Sequence, residues 1–379
     1  MTAEAATRAR TTGILPSQAL RRAVTDGMIR ADGGVPDEII QPSSIDLRLG
    51  RRAWRVRTSF LPGKGVRVAD KLARLTMHEL DLAEAAVLER GCVYIVELQE
   101  RLDLPRDMWA KANPKSSTGR LDVFTRLVTD GCESFETVEA GYDGPLYLEI
   151  APRTFSVKAK AGLRLNQLRL WRGRPGTSDS LHRELHQRES LVDPASLEGN
   201  EPTIRDGLWV SVDLSGDAYG GLIGYRARRH APLIDLDLVG HYPVEDFWEP
   251  IHANAEKTLI LDPNQFYILV SRERIAVPPD SAAEMVAYDT SFGEFRIHYA
   301  GFFDPGFGHT SAGGGSGTPA VLEVRSHEVP FEIAHGQRVC RLVYERLIET
   351  PETLYGAGIG SHYQGQGLKL SKHFIQPQS

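Results

Sequence analysis

Lys115-Ser116-Ser117-Thr118-Gly119-Arg120 is answered, 174 positions later, by Asp289-Thr290-Ser291-Phe292-Gly293-Glu294. Two hydroxyl positions and the glycine recur, while both terminal cations have become carboxylates. The chain reads as a duplication whose halves have diverged in charge. A basic, hydroxyl-rich loop can hold a polyphosphate through charge-assisted hydrogen bonds, whereas an acidic copy repels one. The match extends in both directions. Tyr94-Ile95 through Glu100-Arg101 to Leu104-Pro105 corresponds to Tyr267-Ile268 through Glu273-Arg274 to Val277-Pro278 at an offset of 173. Leu148-Glu149-Ile150 corresponds to Leu322-Glu323-Val324 at 174, and Gly162, Leu165, Leu168 and Leu170 correspond to Gly336, Val339, Leu342 and Tyr344. Ser44-Ile45-Asp46-Leu47 has a looser echo in Ser211-Val212-Asp213-Leu214. Two units are too few for a solenoid, so each is expected to be a compact domain with its own core.

The 379 residues divide accordingly: a disordered N-terminus at 1–12, a first domain at 13–173, a polar linker at 174–207 with one exposed helix, a second domain at 208–349, and a glycine-rich lid or tail at 350–379. A short helix is expected from Ser17, with Leu20 and Val24 on one face and Gly27 ending it. Beyond it the pattern turns to strands such as Val93-Tyr94-Ile95-Val96 and Leu146-Tyr147-Leu148-Glu149-Ile150, short, β-branched or aromatic, and bounded by Gly, Pro and Asp. The fold class is therefore mainly β, an antiparallel barrel or sandwich in each half. A net charge of −6 gives no general attraction for polynucleotide or anionic membrane, and neither is expected as a partner. Cys92, Cys132 and Cys340 are scattered and odd in number, which points to a reducing, cytoplasmic setting, and none is paired at zinc-ligand spacing.

Several constellations could carry chemistry. Lys115 to Arg120 concentrates two cations and three hydroxyls within six residues. Glu149 and Glu323 each sit inside an apolar strand, with Leu148 and Ile150, or Leu322 and Val324, pointing to the opposite face. Just before each acid lies an aromatic-glycine loop, Glu139-Ala140-Gly141-Tyr142 in the first half and Asp304-Pro305-Gly306-Phe307 in the second, able to approach a base or sugar. The tail from Tyr355 to Lys372 interleaves glycines with Tyr363, Gln366 and Lys369, a composition suited to closing over an anionic ligand.

These pieces in this order resemble the deoxycytidine triphosphate deaminases of the trimeric dUTPase superfamily. Gly13-Ile14-Leu15-Pro16-Ser17 and Ile40-Gln41-Pro42-Ser43-Ser44-Ile45-Asp46-Leu47-Arg48-Leu49-Gly50 are similar to that family's opening signature. Lys115-Ser116-Ser117-x-x-Arg120 is similar to its Arg-Ser-Ser-x-x-Arg motif, Ala300 with Asp304-Pro305-Gly306-Phe307 to its nucleoside loop, Leu322-Glu323 to the strand bearing its catalytic glutamate, and His362-Tyr363-Gln364-Gly365-Gln366 to its closing segment. The departure is the fusion of two such units.

The resemblance implies two dUTPase-like barrel or jelly-roll domains and a composite site. The first half would supply Lys115, Ser116, Ser117 and Arg120, and the second Glu323, Ala300, Asp304, Phe307 and the tail residues Tyr355, Tyr363, Gln366 and Lys369. It implies deamination of dCTP to dUTP and ammonia without zinc, with Glu323 relaying protons, Arg120 and Ser116 orienting water, Lys115, Ser117, Tyr355 and Lys369 meeting the phosphates, and Mg2+ carried by the triphosphate. A homo-oligomer is expected. A competing partition uses Glu149 with Glu139 and Tyr142, so that the first repeat builds a site with copies of itself. Two other functions remain open: a dUTP diphosphatase, alone or joined to deamination, and a nucleotide-binding protein without turnover.

Overall fold

The structure, a computed structural model, describes residues 11–197, 199, 201–286, 295–297, 301–309, 317–326, 328–356 and 367–375. Most strands of the first half form one continuous sheet, whose path runs Val123–Thr129, Asp143–Pro152, Val93–Asp103, Ile45–Val56, Arg164–Arg172, Met108–Pro114, Thr137–Val138, each pairing antiparallel, while Ala86–Leu88 and Val157–Ala159 pair apart from it. The sheet curls because Ile45–Val56 divides its length among three partners: its first residues pair with Arg164–Arg172 and its last with Val93–Asp103 and Thr76–Asp81. Gly50 lies at the changeover, where a Cβ would stand 2.4 Å from the Glu97 carbonyl oxygen. The second half sets a sheet of Leu208–Ser211, Arg338–Arg346, Ser281–Val286 and Phe302–Phe303 beside another of Trp248–His252, Leu222–Ala227, Phe266–Ile275, Thr318–Ser326 and Phe295–Ile297. Val210, Leu269, Leu322 and Leu342 fill the core between them. The molecule is mainly β, as its short alternating strands require. No helix among the described residues is long and apolar enough to cross a membrane.

The repeat is reproduced atom for atom in places. The Tyr94 hydroxyl accepts the Glu89 N–H at 3.0 Å, and the Tyr267 hydroxyl accepts the Asp262 N–H at 3.0 Å. Glu100 accepts the Arg48 N–H at 2.8 Å, and Glu273 accepts the Ser211 N–H at 2.7 Å. That last pair corrects the looser echo. Leu168 faces Ile45 in one half and Leu342 faces Leu208 in the other, so Ile45-Asp46-Leu47-Arg48 is equivalent to Leu208-Trp209-Val210-Ser211. The echo at Ser211-Val212-Asp213-Leu214 is out of register, and the position of Asp46 is held in the second half by Trp209.

Two boundaries also differ from expectation. Thr12 does not fray, since its hydroxyl accepts from Arg346 at 2.6 Å. The stretch from 174 to 207 is not a free linker: it carries the helix Asp179–Arg188, whose His182 is buried and accepts the Tyr344 N–H at 2.9 Å, and Leu191, Val192 and Ile204 join the second core. Near the N-terminus, the helix Ser17–Thr25 begins one residue before Ser17 could cap it, while Gly27 closes it at φ +76°.

The halves share a core rather than meeting at a thin seam. Phe247, Trp248, Phe266 and Phe374 pack with Leu148, Phe155 and Val157 of the first half. Val157–Ala159 pairs in parallel with Ile234–Asp235, and Trp171 donates its indole N–H to Glu345 at 3.1 Å.

Candidate active site

A cavity of about 750 Å³ lies between the halves. Its first-half wall is the segment the duplication singled out. Pro114 holds the chain extended, Lys115 precedes the single turn Ser116–Gly119, and Arg120 follows it, so Lys115, Ser116, Ser117 and Arg120 all line the cavity. Arg120 is almost fully buried, and its Nη1 donates to the Lys369 carbonyl at 2.9 Å.

The second-half wall carries Glu323 on the strand Thr318–Ser326, whose Oε1 lies 3.9 Å from Arg120 Nε. Burial pushes the Glu323 carboxyl up to about 7, with the Arg120 charge pulling the other way. Asp304, Phe307 and Tyr355 line the same wall. Asp304 accepts from the Ser43 hydroxyl at 2.5 Å, and Arg169, wholly buried, reaches both Ser43 at 3.1 Å and Asp304 at 3.4 Å. Burial raises the Asp304 carboxyl, opposed by Arg169 and Ser43. Phe307 packs against Phe303 and Tyr355 at ring separations of 5.0 and 5.5 Å. Tyr355 thus stands with the aromatic loop, and its N–H bonds to Pro305 O at 2.8 Å.

A cluster of cations marks another part of the wall. Lys115 pairs with Asp46, and Arg164 lies 3.9 Å from the same carboxylate. Lys372, drawn in from the tail, lines the cavity with them; burial lowers its ammonium, and Lys115 and Arg164 lower it further. Ser371 anchors this stretch by donating to the Ser117 carbonyl at 2.8 Å, and Phe374 is buried in the shared core. His373, pushed down to about 4 by burial and then by Lys372, stays neutral at pH 7.

Sequence reasoning missed Asp46 as a site residue, Arg164, Arg169 and Lys372. Arg164 is matched by Arg338 in the other half, so it carried none of the asymmetry that drew attention to Lys115 and Arg120. Lys369, expected at the phosphates, contributes its backbone carbonyl to Arg120, whereas the tail lysine on the cavity wall is Lys372. Ala300, Tyr363 and Gln366 lie outside the described residues, as does the acidic loop from Asp289 to Glu294.

The competing partition is not assembled within the single chain. Glu149 does not line the cavity; it pairs with Arg126, its direct cross-strand neighbour, and Arg126 also donates to the Ser59 hydroxyl at 2.8 Å and stacks 3.6 Å over the Phe135 ring. Glu139 is exposed, and Tyr142 is engaged in a turn, donating to the Pro145 carbonyl at 2.6 Å. Neither Glu149 nor Glu323 faces solvent, because a strand inside a closed β-structure has a covered face on each side.

Family descriptions match both halves. Residues 11–174 match the 2'-deoxycytidine 5'-triphosphate deaminase (DCD) N-terminal domain, and residues 178–374 match the C-terminal domain of the same family. The chain belongs to the dCTP deaminase family. It is similar to a crystal structure of 2'-deoxycytidine 5'-triphosphate deaminase from Agrobacterium tumefaciens, with TM-score 0.86 and 54% identity over 93% of this chain and 100% of that one. It is also similar to a dCTP deaminase, dUMP-forming, of Thermobifida fusca (32% identity, 41% of this chain, 76% of the relative). A dCTP deaminase of Natronomonas pharaonis matches at 29% identity over 41% of this chain and 78% of the relative. Less than half of this chain thus spans most of either dCTP deaminase relative, as expected when a single unit has been doubled.

Proposed function

We propose that the chain deaminates dCTP to dUTP and ammonia at a composite site, with the triphosphate held mainly by the first half and the tail and the reacting base presented to the second half. The observation that carries this is Glu323, buried on one half, 3.9 Å from Arg120 of the other, with its carboxyl poised near 7. A carboxylate so poised can take a proton from water and return it within the same turnover. Water adds to C4 of cytosine as Glu323 accepts its proton. The proton passes to the ring nitrogen, the amino group leaves with a second proton as ammonia, and a carbonyl remains at C4. Arg120 and Ser116 orient the water and stabilise the charge that develops.

Lys115, Arg164, Lys372 and the Ser117 hydroxyl are the groups on the cavity wall suited to the triphosphate, which arrives with Mg2+ on its own oxygens. Asp46 keeps the lysine cluster in place until the anion arrives. Asp304, Phe307 and Tyr355 line the side suited to the base and sugar. The free thiols fit a reducing cytoplasm, and assembly as a homo-oligomer belongs to the same reading.

Ammonia release from dCTP by the purified chain is the test. Stoichiometric ammonia and dUTP are expected, and tight dCTP binding with no ammonia would overturn the proposal in favour of a nucleotide-binding protein. A second reading, deamination followed by cleavage to dUMP, is favoured by the dUMP-forming relative from Thermobifida fusca. Pyrophosphate appearing with the ammonia would establish it.

A further inference from the structure

Beside the Arg120–Glu323 pair stands a second one of reversed polarity that neither the family match nor the reaction accounts for. Two residues past Arg120, Asp122 pairs with Arg325, two residues past Glu323. Both side chains are almost fully buried. The period of a strand puts Glu323 and Arg325 on one face, so the same strand meets the same loop through two ion pairs. On the loop the order is cation then anion; on the strand it is anion then cation. A slip of two residues would set carboxylate against carboxylate or guanidinium against guanidinium, so the crossed pattern fixes a single register between the halves.

The second pair is also built into the loop that aims Arg120. Asp122 occupies left-handed backbone at φ 54°, which Asp tolerates better than most residues, and its N–H closes the Ser116–Gly119 turn on the Gly119 carbonyl at 2.9 Å. Its carbonyl accepts the Arg153 N–H at 2.9 Å. Thr154 completes the group, donating to Asp122 at 2.6 Å and accepting from Arg325 at 2.9 Å, while Arg325 Nη1 donates to the Asn264 carbonyl at 2.6 Å.

We propose that Asp122, Thr154 and Arg325 are positioning residues for the reaction: by clamping the loop after Arg120 to the strand after Glu323, they hold the guanidinium of one half against the proton-transfer carboxylate of the other. The inference rests on the dCTP deaminase reading and on Glu323 as the proton-transfer group. Glu323 has Arg120 across the cavity and Cys340 from the strand Arg338–Arg346 beside it, while Arg325 on its own strand is paired with Asp122. Burial keeps the Cys340 thiol protonated and uncharged, so the ionised carboxylate is stabilised first by the charge of Arg120 and then by a hydrogen bond from its own backbone.

The test is the pH dependence of kcat for ammonia release at saturating dCTP in Asp122→Asn, Arg325→Gln and Thr154→Val, each alone and combined with Arg120→Gln, together with KM and the denaturation midpoint. Loosening the clamp moves Arg120 off Glu323. Asp122→Asn and Arg325→Gln are therefore expected to lower kcat about tenfold, to change KM less than about twofold, and to move the acidic limb upward, the direction Arg120→Gln also takes. In the Arg120→Gln background the same changes are expected to add less than about twofold, because their route of action is already gone. An unmoved limb, or effects that multiply with Arg120→Gln, would overturn the proposal and leave a clamp between domains with no part in aiming the site. Thr154→Val keeps the side-chain volume and both charges, so if the other variants do not fold it carries the same comparison, with a fall of about threefold. If the wild-type chain releases no ammonia the functional reading fails separately. The clamp is then read from the Glu323 carboxyl titration by infrared difference or carbon NMR, where an upward shift supports it and no shift refutes it.

Discussion

Glu323 and Glu149 hold equivalent places on equivalent strands, each between the apolar residues of a repeated motif, and both are buried. Their partners separate them. Glu149 is joined to Arg126 on the next strand of its own domain, with Phe135 closing over the guanidinium. Glu323 faces an open cavity and a guanidinium from the other domain at 3.9 Å. A local, hydrogen-bonded partner turns a buried carboxylate into a structural tie, whereas a longer contact across a cavity leaves it able to gain and lose a proton. Within this chain one copy of the acid is thus tied to its own domain and the other lines the cavity between the halves.

The sharpest way to break this contrast is the pair of glutamine variants. Glu323→Gln is expected to lower ammonia release from dCTP by about 10³-fold, while Glu149→Gln leaves the rate per folded molecule near wild type. The reverse result would move the chemistry into the first half. Arg120→Gln comes next: kcat should fall about 10²-fold and the acidic limb should rise above its wild-type position, since the charge that favours ionised Glu323 is gone. Stopped or continuous ammonia assays across pH check both.

The pH profile of the wild-type chain sharpens the assignment further. With the Glu323 carboxyl near 7 and needed as the carboxylate, kcat should fall about tenfold per unit below that point and level off above it. A flat profile from pH 5 to 8 would remove Glu323 as the base. Lys372→Gln is expected to raise KM for dCTP about tenfold, more than it lowers kcat, because its contribution is to the anion rather than to the base.

The smallest effects are on stability, and they have opposite signs in the two halves. Glu149→Gln removes the charge that Arg126 answers and should destabilise by about 1–3 kcal/mol in chemical denaturation. Glu323→Gln removes a carboxylate whose ionisation folding opposes. Its raised pKa favours the folded state only while protonated, so the penalty is absent below the ordinary carboxyl range, grows as pH rises, and is complete above about 7. The glutamine variant should therefore gain stability at pH 8 and none at pH 4.

Much of this was legible in the chain. The constant offset announced two domains, and the structure repeats even the hydroxyl contacts of Tyr94 and Tyr267. The exchange of Lys115 and Arg120 for carboxylates pointed to the half that can face an anion. Where sequence reading failed, it did so for lack of a third dimension. Asp46 was aligned with Asp213 by a likeness of four residues, while strand pairing sets it against Trp209. Lys369 and Lys372 are three apart in a tail without periodic pattern, so nothing local told which of them turns to the cavity. The polar stretch from 174 to 207 looked unpacked because its apolar residues are sparse, yet Leu191 and Val192 are enough to seat it on the second core.

By itself the sequence determined the duplication, the β architecture and the charge asymmetry between the halves, because these are set by local pattern and by comparison of one half with the other. Only the tertiary structure decided which glutamate lines the cavity between the halves. It also decided which cation stands beside each acid: for Glu149 it comes from the adjacent strand, and for Glu323 it comes from a loop some 200 residues away, brought there by the docking of two domains.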